Sequence, residues 1–328
     1  MESATTTTRP VEPGQLDSGG VAHPALRERG CDERLEAAAA RPWVETLRDY
    51  SALTKPRIIS LLLLTTVATM FAADPSGPAI SVVLWTMLGG YLAAGGAGAI
   101  NHYIDRDRDA RMGRTKARPL ATGRIEPIHG LVFGIVLGVL ATLQLAITVN
   151  VLSAVLALTG LLGYVFVYTI WLKPLTPQNI VIGGAAGAVP PLVGWAAATG
   201  GLALEALYPF GIVFLWTPPH FWALSLLIKD DYARIGVPML PVVKGEAVTR
   251  RQIFIYSVVL VAFTLLPVAT GFLGVFYAAS AAVLGAGFVA LATRLLRNPS
   301  RQAALTLYLS SLVYLALLFC AMAADRAI

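Results

Sequence analysis

The chain has 328 residues, of which 56% are hydrophobic and only 13% are charged. Because a soluble domain carries about 25% charged residues, this composition excludes an ordinary soluble protein and indicates a membrane protein. The formal net charge of +6 is unevenly distributed, in a pattern that fits membrane topology and not nucleic-acid binding. Cys31 and Cys320 lie near opposite ends without a disulfide or metal-binding pattern, so both are expected to be free.

The amino-terminal segment is polar, with a run of four threonines, scattered Pro and Gly, and mixed charges. It contains no apolar core of the kind found in a secretory signal. We predict a disordered cytoplasmic tail over residues 1–42, with a short surface helix near Leu35 to Ala40. Residues 43–328 are predicted to form one transmembrane domain.

Long stretches without a charged residue follow the tail, and a spanning helix needs about 20 apolar residues. Seven such stretches occur, at 58–73, 75–104, 127–172, 174–204, 206–228, 252–293 and 302–324. Two of them are long enough for two helices each, with turn-like breaks near Asn150 and near Gly271 and Gly274. We therefore predict an all-α, polytopic membrane protein with nine transmembrane helices. The first helix is the shortest and is expected to draw on residues before Lys55.

The basic residues give an independent check, since Lys and Arg collect on the cytoplasmic side of membrane proteins. With nine helices, 24 of the 25 lysines and arginines fall on one side, in the amino-terminal segment and the loops after helices 2, 4, 6 and 8. Arg326 alone falls on the other side. This pattern predicts a multi-pass protein of the plasma membrane with a cytoplasmic amino terminus.

The most polar run follows predicted helix 2 and reads NHYIDRDRDARMGRTKARPLATGR over residues 101–124. If the helix continues into this run, Asn101, Asp105 and Asp109 are four residues apart and share one face. Such oxygen donors suit Mg²⁺, which is usually shared with substrate phosphates, and the nearby arginines suit phosphate contacts. The run therefore predicts a magnesium-diphosphate site. The alternative is a juxtamembrane loop whose bases set topology and pair with the acids.

Further candidate residues lie in the other cytoplasmic segments. Asp230 and Asp231 follow predicted helix 6, and two carboxylate clusters facing each other across a cavity suit metal ions around a diphosphate. A helix end with an ordinary Asp–Lys pair is the alternative. Lys173 after helix 4, and Lys55 and Arg57 before helix 1, are candidate phosphate contacts. The alternatives are a snorkelling lysine and a topology signal.

Predicted helix 6 contains Pro218 and Pro219 followed by His220. A Pro-Pro pair is expected to break the helix, which is tolerated at membrane depth where the backbone is buried or lines a cavity. An intramembrane histidine is a functional candidate, so His220 is expected to face or orient a substrate or to ligate a metal centre. The alternative is a structural histidine within an aromatic cluster. A second kink is expected at Pro190 and Pro191, near a run of small residues.

These segments are similar to a known family. The run NHYIDRDRDARMGRT resembles the first aspartate motif of the UbiA-type intramembrane prenyltransferases. The runs YTIWLKPLTPQNIVIGGAAGAVPPLVGWAA and WTPPHFWALSLLIKDDYARIGVPMLPVVKGE resemble the branch of that family that farnesylates heme. The resemblance extends from the region of Leu53 to Ile253.

The resemblance implies nine helices around a central cavity and a Mg²⁺-dependent reaction. In that reaction a farnesyl group passes from farnesyl diphosphate to a vinyl group of heme B, with addition of water, giving heme O for heme–copper oxidases. Farnesyl diphosphate and heme B are then substrates, the chain lies in a lipid bilayer, and a downstream heme A synthase is a candidate partner. No nucleic-acid partner is expected.

The resemblance also implies roles for individual residues. By position, the metal ligands are Asn101, Asp105, Asp109 and Asp231, and Asp230 joins them in the catalytic site. Three candidate diphosphate contacts also carry over by position: Arg114, Lys116 and Lys173. The other candidate substrate contacts are taken from the residues themselves and are Lys55, Arg57, Tyr168, His220, Phe221 and Trp222. Tyr168, Phe221 and Trp222 are expected to lie near the farnesyl cation.

One feature departs from the family pattern, because other members often carry a second D-x-x-x-D. Here Asp230 and Asp231 are adjacent, and neighbouring helical residues point about 100° apart. Either only one of them binds metal, or the helix is unwound at this point. Two rival functions are a prenyltransferase with another acceptor, such as an aromatic quinone precursor, and a transporter. A transporter is disfavoured because the acids cluster at one membrane face.

Overall fold

The structure is a computed structural model that describes residues 42–328. Most of the predicted tail, its short helix and Cys31 lie outside the described residues, and the domain boundary at residue 43 stays a prediction. Every regular element among the described residues is helical. The helical body discussed below is Leu47–Ile328.

Nine helices within residues 42–328 are long and apolar enough to cross a membrane, as predicted, and the chain is a multi-pass membrane protein. They are numbered here as spans 1 to 9: Pro56–Ala73, Ile80–Asp109, Pro127–Thr148, Val151–Leu175, Asn179–Thr199, Leu204–Leu227, Gly245–Ala269, Val275–Arg297 and Arg301–Ala327. Shorter helices cover Trp43–Thr54, Lys229–Arg234 and Leu240–Val243. The predicted central cavity stays a prediction.

Both predicted division points are confirmed. The Asn150 side chain caps the helix that begins at Val151, where it accepts a hydrogen bond of 2.8 Å from the Ser153 amide. The second break separates Ala269 from Val275. Span 4 is itself composite, because an α-helix over Val151–Leu162 continues as a π-helix over Gly163–Leu172 and ends in the short turn Lys173–Leu175.

The prediction that the first span draws on residues before Lys55 is wrong. Trp43–Thr54 is a separate helix, and Lys55 lies in the left-handed region with φ 60° and ψ 55°. A residue before proline is disfavoured in the right-handed helical region, and Pro56 is suited to the first position of the next helix. Span 1 therefore begins afresh at Pro56.

The prediction that Pro218 and Pro219 break their helix is also wrong, whereas the kink predicted at Pro190 and Pro191 stays a prediction. Pro190 and Pro191 lie inside the continuous helix Asn179–Thr199, and Pro218 and Pro219 lie inside Leu207–Leu227. Each proline removes its own backbone donor, and its ring crowds the carbonyl group four residues earlier. Because no water competes for the remaining hydrogen bonds in the bilayer, the helix continues past the pair.

Small residues allow the spans to pack with their backbones in close approach. A Cβ added to Gly96 on span 2 would lie 2.7 Å from the Gly134 carbonyl oxygen on span 3. A Cβ added to Gly194 on span 5 would lie 2.3 Å from the Thr66 carbonyl oxygen on span 1. These contacts fix the positions of the helices whose ends carry the polar residues described below.

The carboxyl end of span 9 joins several helix ends. Asp325 accepts hydrogen bonds from the backbone amides of Gly274, at 2.6 Å, and Tyr277, at 2.9 Å. Arg326 donates to the Ala72 carbonyl oxygen at the end of span 1, at 3.2 Å. Arg326, which the distribution of bases predicts to lie on the outer side, therefore donates to carbonyl groups at helix ends, and the adjacent Asp325 accepts from amides.

Candidate active site

A row of buried polar side chains lies at the end of span 2. Asn101, Asp105 and Asp109 all belong to the continuous helix Ile80–Asp109 and are 4%, 1% and 5% exposed. Their spacing of four places them on one face. The intervening acid Asp107 has a side chain that is 80% exposed. The polar run therefore divides into a buried row and a solvent-facing side.

Asp105 is the centre of a network of hydrogen bonds. Its Oδ2 atom accepts from Asn101 Nδ2 at 2.8 Å and from Lys173 Nζ at 2.5 Å. Its Oδ1 atom accepts from Arg108 Nη1 at 3.2 Å. Lys55 Nζ donates to Asn101 Oδ1 at 2.7 Å. The network joins the end of span 2 to the end of span 4 and to the turn before span 1.

Asp109 has its own cationic partner. Its Oδ2 atom accepts from Arg118 Nη1 at 2.6 Å, and the Thr115 hydroxyl donates to its backbone carbonyl at 3.0 Å. Sequence reasoning missed Arg118, because it is one of seven bases in the run and nothing in the spacing distinguishes it. Only the fold of the loop, which turns back after Thr115, brings it to Asp109.

The site carries more positive than negative groups. Burial, followed by the positive charges of Arg118 and Lys173, lowers the pKa of Lys55 to about 7. The carboxylates of Asp105 and Asp109 act on this pKa in the opposite direction without restoring it. An excess of cations around two buried acids suits an additional anionic ligand.

The second acidic segment follows a break in the helix. Span 6 ends at Leu227, Ile228 is not helical, and Lys229–Arg234 forms a new short helix with both acids in its first turn. Asp230 is exposed, whereas the Asp231 side chain is only 19% exposed and accepts from Arg234 Nη1 at 3.0 Å. The adjacent acids thus occupy different environments.

Asp231 lies against the loop that follows the first acidic run. A Cβ added to Gly113 would lie 3.6 Å from Asp231 Oδ2. The neighbouring residue Tyr232 is buried, which raises its pKa, and the charges of Arg114 and Asp105 are close enough to act on it in opposite directions. The two acidic segments therefore meet at the same end of the helical body.

The π-helix Gly163–Leu172 determines which side chains span 4 presents here. In an α-helix, Tyr168 and Lys173 would point roughly 140° apart, because each residue turns the helix by about 100°. The i→i+5 repeat of a π-helix aligns residues five apart, so both lie on one face. Tyr168 packs on span 5, where a Cβ added to Gly183 would lie 2.4 Å from its ring. No sequence signal had indicated this π-helix.

The remaining predicted contacts are less closely tied to the acids. Arg57, Arg114 and Lys116 are exposed, and Arg114 is close enough for its charge to act on the candidate residue Tyr168 and on Tyr232. Within the described part of the chain, neither Arg57 nor Lys116 forms an ion pair or a side-chain hydrogen bond with a carboxylate.

Two of the aromatic candidates, Phe221 and Trp222, lie on span 6 with His220. Trp222 is buried and packs edge-on against Tyr256, with ring centroids 5.2 Å apart. Phe221 lies edge-on to His220, at 5.6 Å. His102, which is not among the predicted site residues, is 3% exposed, and neither ring nitrogen has a hydrogen-bond partner among residues 42–328.

The oxygen atoms of the site are of the type that a hard divalent cation prefers as ligands. Asn101, Asp105, Asp109 and Asp231 supply amide and carboxylate oxygens, the ligands that Mg²⁺ prefers. Within residues 42–328, no three His, Cys, Asp or Glu side chains already converge as a metal site. Protein cations pair with Asp105 and Asp109 instead, which keeps these buried carboxylates compensated.

Comparison with known sequences supports the resemblance. The profile of the UbiA prenyltransferase family matches residues 62–320. A relative from Roseiflexus sp. (strain RS-1), named protoheme IX farnesyltransferase, is 56% identical over 86% of this chain and 53% of its own length. Relatives of the same name from Symbiobacterium thermophilum and Streptomyces coelicolor are 51% and 47% identical. They align with 86% and 88% of this chain and with 95% and 94% of their own. The chain spans about half the length of the Roseiflexus relative.

Solved structures agree with the fold. A structure described as digeranylgeranylglyceryl phosphate synthase superimposes with a TM-score of 0.71 at 18% identity, covering 86% of this chain and 99% of its own. A UbiA homolog from Archaeoglobus fulgidus, bound to GPP and Mg²⁺, gives 0.62 at 16% identity, with coverage of 84% and 99%. The predicted all-α membrane fold is confirmed. The chain therefore belongs to the UbiA prenyltransferase family, and within that family to the protoheme IX farnesyltransferase group.

Proposed function

We propose that this chain transfers the farnesyl group of farnesyl diphosphate to a vinyl group of heme B, with addition of water, to give heme O. The observation that carries the proposal is the buried row Asn101, Asp105 and Asp109 surrounded by an excess of cations. It stands in a chain about half identical to proteins named protoheme IX farnesyltransferase. The site faces the cytoplasm in the plasma membrane, and heme A synthase is the partner that would consume the product.

Asn101, Asp105, Asp109 and Asp231 are the residues that would hold Mg²⁺. The bound ion would neutralise charge on the diphosphate and make it a better leaving group. Their oxygen chemistry supports this assignment, as does a family member described as bound to GPP and Mg²⁺.

The basic residues act on the leaving diphosphate. When the allylic carbon–oxygen bond breaks, its electron pair stays with the diphosphate, and negative charge develops next to Lys173, Arg118 and Lys55. Preorganised cations in a site with little water stabilise such charge strongly. These three side chains are already held at the site by Asp105, Asp109 and Asn101, so little reorganisation is needed.

The farnesyl cation is then attacked by the terminal carbon of a heme vinyl group. The new cation lies beside the porphyrin ring, and water adds to it with loss of a proton. Tyr168, Phe221 and Trp222 are the aromatic side chains assigned to the first cation, because aromatic faces attract positive charge. The surrounding apolar spans exclude water until the new bond has formed.

The purified full chain, incubated with farnesyl diphosphate, heme B and Mg²⁺, is expected to form heme O, detected by liquid chromatography and mass spectrometry. Parallel reactions offer an aromatic quinone precursor instead of heme. Farnesylation of that acceptor alone would overturn the proposal and support a prenyltransferase of another specificity. Addition of EDTA is expected to abolish heme O formation, and excess Mg²⁺ to restore it.

Asp231→Asn is expected to lower heme O formation about tenfold or more, and Asp230→Asn less than about threefold, because only Asp231 lies against the first acidic run. The two variants make the same change in charge one residue apart. Initial rates at saturating substrates, normalised to folded protein, give the comparison. Equal losses in both variants would contradict the assignment of Asp231, and not Asp230, as a metal ligand.

A further inference from the structure

Span 6 and span 9 are joined by a hydrogen-bond chain inside the membrane. His220 is 7% exposed, and its Nδ1 atom lies 2.6 Å from the Ser311 hydroxyl. That hydroxyl lies 2.6 Å from the Tyr308 carbonyl oxygen. A hydroxyl has a single hydrogen, and the carbonyl can only accept, so Ser311 donates to Tyr308. His220 Nδ1 therefore carries the proton and donates to Ser311, which leaves the lone pair on Nε2.

The plane of the imidazole is fixed by its neighbours. The ring stacks on Trp216, with centroids 4.2 Å apart and an angle of 20°, and on Tyr308, at 4.8 Å and 30°. The Trp216 indole donates to the Ser311 carbonyl oxygen at 2.8 Å, which ties the two spans together at the same level. Within residues 42–328, Nε2 has no hydrogen-bond partner.

Although the residue as a whole is buried, Nε2 is not among the fully buried side-chain atoms that lack a partner, so its lone pair is accessible to a ligand on a ring that is already oriented. A histidine that ligates a metal donates its other ring N–H to an acceptor, which fixes the tautomer and strengthens the ligand. We propose that His220 Nε2 is an axial ligand to the iron of heme B and that Ser311 is the positioning residue. This inference rests on the proposed function, in which heme B is the acceptor.

An iron–nitrogen bond at this point gives the porphyrin one fixed attachment. Span 6 carries His220 and, beyond its end, Asp231, so one helix relates the iron to the diphosphate end of the site. Asp231 lies eleven positions after His220, a rise of roughly 16 Å if the helix were continuous. The ligand thus limits which edge of the porphyrin reaches the farnesyl carbon.

The test compares hemin with metal-free protoporphyrin IX, which has the same ring but no iron. The full chain in lipid nanodiscs is titrated with each porphyrin, as wild type, His220→Ala and the control His129→Ala, whose side chain is 62% exposed. His220→Ala is expected to weaken hemin binding about tenfold or more and to change the Soret band. Its affinity for protoporphyrin IX is expected to stay within about twofold. Added imidazole is expected to restore the Soret band of His220→Ala, and His129→Ala to match the wild type.

Ser311 is tested by two variants. Ser311→Ala removes the acceptor of the Nδ1 proton, whereas Ser311→Thr keeps a hydroxyl. Because the hydrogen bond increases the basicity of the ligand, Ser311→Ala is expected to lower the iron–histidine stretching frequency of the ferrous complex in resonance Raman spectra. Ser311→Thr is expected to retain it.

The outcomes separate the two proposals. An equal loss of affinity for both porphyrins in His220→Ala, or an unchanged Soret band, would overturn the ligand assignment while heme O formation by the wild type still supported the proposed function. His220→Gln, which keeps a polar side chain of similar length, guards against misfolding of the alanine variant. A wild type that binds neither porphyrin and forms no heme O would overturn both.

Discussion

Asp105→Asn is expected to lower the rate of heme O formation by about 10² to 10³-fold, because it removes the charge at the centre of the buried network. Asparagine has nearly the same shape, so packing is retained. The ammonium of Lys173 loses its counter-charge and is no longer held in one position. The measurement is the initial rate of heme O formation by the purified protein in lipid nanodiscs.

The matched control is Asp107→Asn, which makes the same change two residues along the same helix. Its side chain is 80% exposed, and it is expected to keep the rate within about twofold, since exposed ion pairs contribute little. Asp105→Asn also leaves a buried cation without its pair, so each rate is divided by the folded fraction from size-exclusion chromatography. Similar rates for the two variants would remove Asp105 from the mechanism.

Gly194→Ala is expected to be the most damaging small substitution in the membrane body. The added methyl group would lie 2.3 Å from the Thr66 carbonyl oxygen and 3.0 Å from its carbonyl carbon, both backbone atoms of span 1. The spans must move apart, which costs about 1–3 kcal/mol or more for overpacking of this kind. The melting temperature in detergent, followed by fluorescence, is expected to fall.

Gly187→Ala on the same span is the control, because a Cβ there meets no atom within 4 Å. Alanine is favoured over glycine in helix interiors by up to about 1 kcal/mol, so this variant is expected to melt at or above the wild-type temperature. If Gly194→Ala melted as high as Gly187→Ala, the close contact between spans 1 and 5 would be disproved.

Hydropathy and the distribution of bases were sufficient to predict the nine spans and both points where long apolar stretches divide. Each is a property of many residues acting together. Two local predictions failed because each depended on the backbone conformation at only one or two residues. Lys55 adopts a left-handed conformation that ends the preceding helix, and the helix continues past Pro218 and Pro219 because its other hydrogen bonds survive.

The candidate site shows the same division. A spacing of four predicted the shared face of Asn101, Asp105 and Asp109, because helical geometry is local. Their partners were not predictable in this way. Arg118 reaches Asp109 through the fold of a loop, and Ser311 meets His220 from a helix 91 residues away. Such pairings depend on tertiary packing, and no periodic pattern in the sequence indicates which distant residues will meet.

The widened helical turn in span 4 has a consequence for how this region tolerates a change in length. Deleting one residue from 163–167, ahead of Tyr168, would allow the segment to rewind as an ordinary α-helix, which has better hydrogen-bond geometry and places residues five apart roughly 140° from each other. The membrane would still be crossed. Lys173, however, would rotate relative to Tyr168, and its ammonium would leave Asp105. A chain shortened in this way is therefore expected to insert and fold but to have no activity. The length of this segment of span 4 is then required for function and not for folding.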